Sequence, residues 1–164
     1  MAAGGLEKSG IGARSLVVTL RVMMKRIKYA SRYSKPLTEK ELESLGGQAA
    51  AKNAELGVTG ILMASGGMFY QVIEGPPEAV NGLFAAIEED DRHTDVLVLD
   101  IEEGVTSRLF PGWSMKTVDL DAAAHVRLLP LKIMMQAVYE QRLLVDKMIW
   151  GIERTLQHEL RSSD

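Results

Sequence analysis

Two polar side chains, Tyr29 and Gln71, fall on strand faces that are otherwise apolar, where a phenol and a primary amide could handle protons or bind a ligand. Tyr29 alternates with Ile27 in one strand-like run, and Gln71 alternates with Phe69 and Ile73 in another. A buried polar group must find a hydrogen-bond partner, or its burial costs roughly 1–3 kcal/mol. Two interpretations stay open from the residues alone: the two groups bond to each other or to nearby backbone, or they serve a bound ligand.

The sequence lacks the signatures of common enzyme active sites. There is no Gly-x-Gly-x-x-Gly segment after a strand, no phosphate-binding Gly-Lys-Ser/Thr loop and no His-Glu-x-x-His. The histidines His93, His125 and His158 are far apart on unlike predicted elements. The absence of cysteine excludes disulfides, thiolate metal sites and a cysteine nucleophile. We therefore expect a protein that is not an enzyme and that holds no metal.

Length and composition fit one globular domain with a short extension. The chain has 164 residues, of which 46% are hydrophobic and 25% charged, which argues against a disordered or fibrous chain. Residues 30–120 contain seven Lys/Arg against fifteen Asp/Glu. Because this acidic body would repel a phosphate backbone, nucleic acid is not an expected partner.

The sequence also indicates no association with a membrane. No segment approaches eighteen consecutive apolar residues, and the run Leu16–Leu20 is too short for the apolar core of a signal peptide. Together with the lack of cysteine, this predicts a cytoplasmic protein. Residues 1–22 are rich in Ala, Gly, Ser and Arg, and we expect a disordered leader there, or sequence upstream of a natural start at Met23 or Met24.

The predicted elements of residues 23–120 follow the order β-α-β-β-α-β-β. Arg26–Ser31 alternates as a strand does, and Thr38 opens a helix that reaches to about Glu55. A hairpin follows, and Pro76-Pro77 starts a second helix. This order predicts an α+β protein with a ferredoxin-like sheet, an added strand and two helices on one face. The other strands are predicted at Val58–Ala64, Met68–Glu74, Asp95–Ile101 and Trp113–Val118.

The first helix contains an unusually smooth segment. Gly46 and Gly47 lie in its interior, and each costs about 1 kcal/mol relative to alanine. A flat ligand lying against the helix would explain the missing side chains, and simple drift would explain them equally well. Asn53, near the end of this helix, would ordinarily be a solvent-facing residue or a cap.

Residues 121–164 form a predicted helical extension that continues to about Leu160. The helix would be too long to lie wholly on so small a domain. It either folds back as two helices over the open face of the sheet, with Gly151 as the hinge, or pairs with a second subunit. We expect a homodimer joined mainly through residues from about Leu128 to Leu160. The stripe that supports it is Leu131, Met134, Val138, Val145, Met148, Ile152 and Leu156.

Five clusters stand in an order that resembles the BLUF family, the blue-light sensors that use flavin. The resemblance covers about residues 25–119, and residues 110–117 with the helix after them look most like the BLUF module of bacterial light-activated nucleotide cyclases. The clusters are Tyr29-Ala30-Ser31, Asn53 with Leu56-Gly57-Val58-Thr59-Gly60, Phe69-Tyr70-Gln71-Val72-Ile73-Glu74-Gly75, Asp91-Arg92-His93, and Arg108-Leu109-Phe110 with Trp113-Ser114-Met115.

The resemblance implies a flavin, FAD or FMN, held between the helices that begin near Thr38 and Pro76. It implies that Tyr29 donates an electron and a proton to the photoexcited flavin, and that Gln71 bridges this phenol and the N5/O4 edge. The remaining implied roles are Asn53 at the O4/N3 edge, Arg92 and His93 near the other polar edge and the phosphate tail, Ser31 as a partner behind these contacts, and Trp113 and Met115 in the strand that relays the change outward.

The function implied by the resemblance is a blue-light photoreceptor that signals through its C-terminal helices to an unknown output protein. For Arg92, a surface ion pair with Asp90 or Asp91 is the alternative, and for Trp113 and Met115 it is core packing. Two alternatives to the function as a whole stay open. The chain could be a ligand-free ferredoxin-like dimerisation module, or the sensory fragment of a light-regulated nucleotide cyclase or phosphodiesterase.

Overall fold

The structure, a computed structural model, describes residues 23–122 and 127–161. Its elements are β1 (Met24–Tyr33), α1 (Glu39–Glu55), β2 (Thr59–Ser65), β3 (Met68–Gly75), α2 (Pro77–Glu88), β4 (His93–Val105), β5 (Lys116–Asp119) and α3 (Leu129–Arg161). The five strands form one sheet in the order β4-β1-β3-β2-β5, in which only β5 runs parallel to its neighbour β2. This confirms the predicted ferredoxin-like α+β class, whereas the expected leader at 1–22 lies outside the described residues.

Local signals fix the ends of the first two helices. The Thr38 hydroxyl accepts a hydrogen bond from the Glu41 amide, and the Glu41 carboxylate accepts one from the Thr38 amide at 2.8 Å, which completes the predicted capping box. After α1, Gly57 adopts a φ of 64°, a left-handed conformation that ends the helix and favours glycine. Pro77 opens α2, where a proline loses no helical hydrogen bond.

The main core lies between the sheet and the two helices α1 and α2. Ile27 and Tyr29 of β1 and Phe69 and Ile73 of β3 are buried on this side, as the alternation predicted. The α2 stripe meets them with its predicted apolar residues, which are Val80, Leu83, Phe84 and the partly buried Ile87. The face that positions Tyr29 and Gln71 is therefore the face covered by the helices.

The third helix packs on the other face of the sheet through its first half. Met135 and Tyr139 are its buried residues, and Tyr139 forms a cluster with Ala30 of β1 and Met68 of β3. The helix runs without interruption from Leu129 to Arg161, straight through Gly151. The alternative of two helices hinged at this glycine is therefore wrong, because glycine alone does not break a helix. Within residues 23–122 and 127–161, no helix is long and apolar enough to cross a membrane.

Two details of the sequence prediction need correction. The last strand begins at Lys116, so Trp113 and Met115 precede it instead of belonging to it. Gly46 is explained by neither a ligand nor drift, since a Cβ there would come within 2.0 Å of the Thr117 hydroxyl oxygen. The missing side chain lets α1 approach β5 closely. A Cβ on Gly47 would meet no atom within 4 Å in the described structure.

Candidate functional site

A cleft of about 180 Å³ opens between α1 and α2 above the middle of the sheet. Its walls combine apolar and small side chains with amide, cationic and imidazole groups. Apolar walls that carry polar groups at fixed positions are typical of a site for a small organic ligand. The residues around it are Leu45, Gln48, Ala49, Lys52 and Asn53 of α1, Leu62 of β2, Gln71 of β3, Leu83, Ala86 and Ile87 of α2, and Asp90, Arg92 and His93.

Tyr29 and Gln71 meet at the floor of this cleft. They are directly opposite each other in the antiparallel pair β1–β3, and the Tyr29 hydroxyl donates a hydrogen bond to Gln71 Oε1. The tyrosine is 0% exposed and the glutamine 5%. The other end of the amide, Nε2, faces the Met115 sulfur at 3.7 Å. The two polar side chains that the sequence placed on apolar strand faces are therefore hydrogen-bonded to each other, and Gln71 also lines the cleft.

The surroundings of Tyr29 keep its phenol protonated. The ring packs edge-on against Phe84, with centroids 5.3 Å apart, and against His93 at 6.2 Å. Burial raises the pKa of Tyr29 far above its usual value, and the negative charge of Asp90 raises it further. At neutral pH the residue is thus a neutral hydrogen-bond donor that retains its proton.

Asn53 is buried in the last turn of α1, where the sequence alone would have placed a solvent-facing residue. It is 1% exposed, and its Nδ2 donates to the Ser114 carbonyl at 2.8 Å. Its own backbone carbonyl accepts from the Val58 amide at 2.9 Å. One side-chain amide therefore lines the cleft and also fastens the segment that precedes β5.

His93 and Ser31 form a second polar pair beside Tyr29. The Ser31 hydroxyl and His93 Nδ1 are 2.8 Å apart, which joins the start of β4 to β1. Burial lowers the pKa of His93, and the Arg92 charge lowers it further, while Asp90 acts in the opposite direction. The imidazole is therefore mostly neutral at pH 7, with one ring nitrogen able to donate and the other to accept.

Arg92 stands at the mouth of the cleft and is paired with Asp90. Its guanidinium donates to the Asp90 carboxylate from Nε at 2.9 and 3.0 Å, and from Nη2 at 2.5 Å. This hydrogen bonding lowers the pKa of Asp90 to about 2. The ion pair predicted as the alternative for Arg92 is thus present, and the same residue lines the cleft.

The structure separates Trp113 from Met115. Met115 is buried in the main core against Gln71, whereas Trp113 is 45% exposed and stacks on Phe110 at a centroid distance of 5.9 Å. The alternative role of core packing therefore applies to Met115, whereas Trp113 is not a core residue. Neither residue lines the cleft, and Met115 reaches it through Gln71.

Sequence reasoning missed several residues of the cleft wall. Gln48 and Lys52 line it from α1, and Asp90 lines it from the turn before β4. A helical signal was available, since positions 45, 48, 49, 52 and 53 share one face of a helix at three- and four-residue spacing. No comparable local pattern marks Asp90.

Comparison with known proteins identifies similar chains. Residues 24–116 match the BLUF family, described as sensors of blue-light using FAD. Photoactivated adenylate cyclase subunit beta of Euglena longa is 33% identical over 88 residues, which are 53% of this chain and 10% of that protein. A bacterial light-regulated adenylyl cyclase structure gives a TM-score of 0.69 at 35% identity, covering 76% of this chain and 36% of that chain.

The dark-state structure of BlrB, a BLUF protein, is similar over nearly its full length. It gives a TM-score of 0.60 at 29% identity and covers 85% of this chain and 98% of that chain. By contrast, the chain spans about a tenth of the length of the curated cyclase relatives it matches. The likeness to those cyclases is thus confined to one module of them.

Proposed function

The chain belongs to the BLUF family of flavin-binding blue-light sensors, as the sequence resemblance predicted, and from this premise we propose that the Tyr29–Gln71 hydrogen bond is its light-driven switch. The observation that carries the proposal is the buried phenol–amide pair at the floor of the cleft between α1 and α2. Tyr29 has a proton to give, and Gln71 connects it to the cleft.

The residues of the cleft fit a flavin. Leu45 and Ala49 on α1 face Ile87 and Ala86 on α2, and this pair of small or apolar walls suits a flat ring system. Asn53 and Gln71 would hold one polar edge of the ring. Arg92 and His93 would lie near its other polar edge and the phosphate tail. When bound, the flavin supplies absorption of blue light and a strong excited-state electron acceptor.

In this proposal Tyr29 is the donor and Gln71 is the part that changes. Because the pKa of Tyr29 is raised, the phenol keeps its proton in the dark. We expect the proton to leave only together with an electron, after the bound flavin has absorbed light. The amide of Gln71 has an acceptor end on Tyr29 and a donor end on Met115. Rotation or tautomerisation of the amide changes whether it presents a hydrogen-bond donor or an acceptor to the cleft, and it breaks no carbon–carbon bond.

The Met115 sulfur, which faces the donor end of the Gln71 amide, opposes this reorientation only weakly. A thioether sulfur is a weak acceptor, so moving the Gln71 amide away from the Met115 sulfur sacrifices little hydrogen-bond energy. A strong acceptor at that position would hold the amide in one orientation. This weak contact at the donor end supports an amide that changes orientation, and the hydrogen bond from Tyr29 is then the one that must be exchanged.

An absorption spectrum taken before and after blue light tests the proposal. We expect a yellow protein whose flavin bands shift reversibly to longer wavelength and return in the dark. A colourless protein that cannot be loaded with FAD or FMN would contradict it and would favour the ligand-free dimerisation module.

We further propose that the protein is a non-enzymatic sensor, active in the cytoplasm, that signals as a homodimer through α3. The stripe from Leu131 to Leu156 is solvent-exposed, and at 3.6 residues per turn its centre lies roughly 100° around the helix from the docked residues Met135 and Tyr139. The sheet of the same chain therefore cannot cover it. Such apolar stripes usually mark interfaces.

A second candidate function follows from the relatives. The Euglena longa protein is a photoactivated adenylate cyclase subunit, and this chain matches only a tenth of it. We therefore propose, as the alternative, that these residues act as the sensory part of a light-regulated nucleotide cyclase or phosphodiesterase. Cyclase activity that appears only when the sensor is joined to, or mixed with, its output protein distinguishes this case.

A further inference from the structure

A buried charged cluster lies at the β4–β5 connection, and the switch described above does not use it. Arg26 of β1 and Glu74 of β3 lie directly opposite each other on neighbouring strands, with exposures of only 5% and 0%. Arg26 Nε donates to Glu74 Oε2 at 2.8 Å. Charges buried this deeply are costly unless they are fully bonded, so their full set of partners is informative.

The partners of Glu74 are concentrated on one irregular segment. Besides Arg26, its carboxylate accepts the backbone amides of Leu109 at 3.0 Å and Phe110 at 2.7 Å. The Thr59 hydroxyl donates to it at 3.3 Å. Both carboxylate oxygens are therefore occupied, and two of the four donors are main-chain groups of the connection between β4 and β5.

Two arginines add further hydrogen bonds that hold this segment, and one of them, Arg108, belongs to it. Arg108 Nη1 donates to the Glu74 carbonyl at 2.9 Å, and its Nη2 donates to the Gly57 carbonyl at 2.7 Å. Arg26 Nη2 donates to the Ser107 carbonyl at 2.8 Å. Residues 107–110, which lie in neither helix nor strand, are thus fixed by charged side chains in place of a backbone ladder.

This fixed segment leads directly to the residues that contact the switch. The Trp113 amide bonds back to the Phe110 carbonyl at 3.3 Å, and the two rings stack. The next two residues are Ser114, whose carbonyl accepts from Asn53, and Met115, whose sulfur faces Gln71. A short segment, residues 109–115, therefore connects the backbone amides that Glu74 binds to the methionine that contacts the donor end of the Gln71 amide.

We propose that Glu74 is a positioning residue of the light switch: by anchoring residues 107–110 it sets where Met115 lies beside the Gln71 amide, and thereby the rate of return to the dark state. The inference rests on the proposed function. Glu74 itself touches neither the cleft nor the Tyr29–Gln71 pair, so its effect passes through the position of Met115.

Glu74→Gln is the first variant, with Glu102→Gln as its matched control. The amide keeps the size of the side chain, but its nitrogen cannot accept from a backbone amide or a guanidinium. Glu102 also bonds Arg26, at 2.7 Å, and has no bond to residues 107–110. We expect dark recovery to change by about fivefold or more in Glu74→Gln, and to stay near the wild-type rate in Glu102→Gln.

A double-mutant cycle separates positioning from a general loss of stability. If Glu74 acts through Met115, the double variant Glu74→Gln/Met115→Ala recovers at the rate of Met115→Ala alone. Rate effects that multiply independently would overturn the inference. Amide hydrogen exchange in the dark adds a readout that needs no photocycle: Glu74→Gln should raise exchange in residues 107–115, and unchanged exchange there counts against the proposal.

Arg108→Lys carries the same test if Glu74→Gln does not fold. Lysine keeps the charge but cannot bridge the Gly57 and Glu74 carbonyls with a planar fork, so we expect a smaller change of the same kind, again masked by Met115→Ala. Failure of the two proposals is distinguishable. A wild-type protein without a red shift refutes the switch, whereas a normal wild-type photocycle with unchanged recovery in these variants refutes only the positioning role.

Discussion

Tyr29 and Gln71 are directly opposed residues of β1 and β3, and the phenol of one donates to the amide oxygen of the other beneath the two helices. The pairing depends on strand register. A slip of one residue would turn one of the two side chains to the opposite face, towards α3. The rigid sheet thus fixes the distance between a proton donor and an amide that can adopt two orientations.

The first prediction concerns this pair. Tyr29→Phe keeps the ring in the core and removes the proton and the electron-rich phenol, so the flavin should stay bound while the light-induced red shift disappears. Gln71→Leu should have the same effect by deleting the amide. Difference spectra before and after blue light are the measurement. A normal photocycle in either variant would contradict the mechanism.

The sequence revealed this pair because the signal was local. Alternation along each strand placed both polar residues among apolar neighbours, and a capping box positioned α1 without any knowledge of the tertiary structure. The order of elements was then sufficient for the fold class. Such features depend on residues a few positions apart.

The parts that were missed depend on contacts distant in sequence. Glu74 bonds residues 35 and 36 positions away, and Arg26 bonds Glu74 across 48 positions. Neither pairing leaves a periodic pattern in one sequence. The last strand was predicted too long for the same reason, because side-chain anchors hold the segment before Lys116 where a strand ladder was expected.

The second prediction uses the two adjacent glycines of α1. Gly46→Ala would place a Cβ 2.0 Å from the Thr117 hydroxyl oxygen, so the Thr117 side chain must turn away or α1 and β5 must separate, at a cost of roughly 1–3 kcal/mol in unfolding free energy. Gly47→Ala is the matched control. Its Cβ enters open space in a helix, and it should stabilise the protein by up to about 1 kcal/mol. Chemical denaturation of both variants measures the difference, and equal effects would show that the contact with β5 is unimportant.

The third prediction is a dependence of stability on pH that arises from His93. Its pKa is lowered by burial in the folded protein, whereas in the unfolded chain it takes up a proton near the ordinary value of about 6.5. The unfolded state therefore binds more protons in this window, and stability falls as the pH drops from about 6.5 through the lowered pKa. Thermal melts at pH 7.5 and 5.5 should show this loss, and His93→Gln should reduce it.

Two comparisons isolate the contribution of His93. The Asp90 carboxyl, with its pKa of about 2, titrates well below this window and does not contribute. His158→Gln changes a highly exposed histidine on α3 and should leave the pH dependence close to wild type. If His158→Gln flattens the profile as much as His93→Gln does, burial at the cleft is not the cause.

The fourth prediction concerns the dimer and distinguishes the faces of α3. Met148→Glu/Ile152→Glu places two charges on the apolar stripe, and burial of unpaired carboxylates in an interface should convert a dimer to a monomer. Leu129→Glu/Ile133→Glu is the matched control. Both of its residues are exposed and apolar, but at 3.6 residues per turn they lie roughly 140° around the helix from the centre of the stripe and roughly 120° from the docked residues. Light scattering should therefore give a monomer for the first variant and a dimer for the second. If both variants and the wild type are monomers, the stripe serves another partner, whereas dissociation of both variants would mean that the interface is not confined to it.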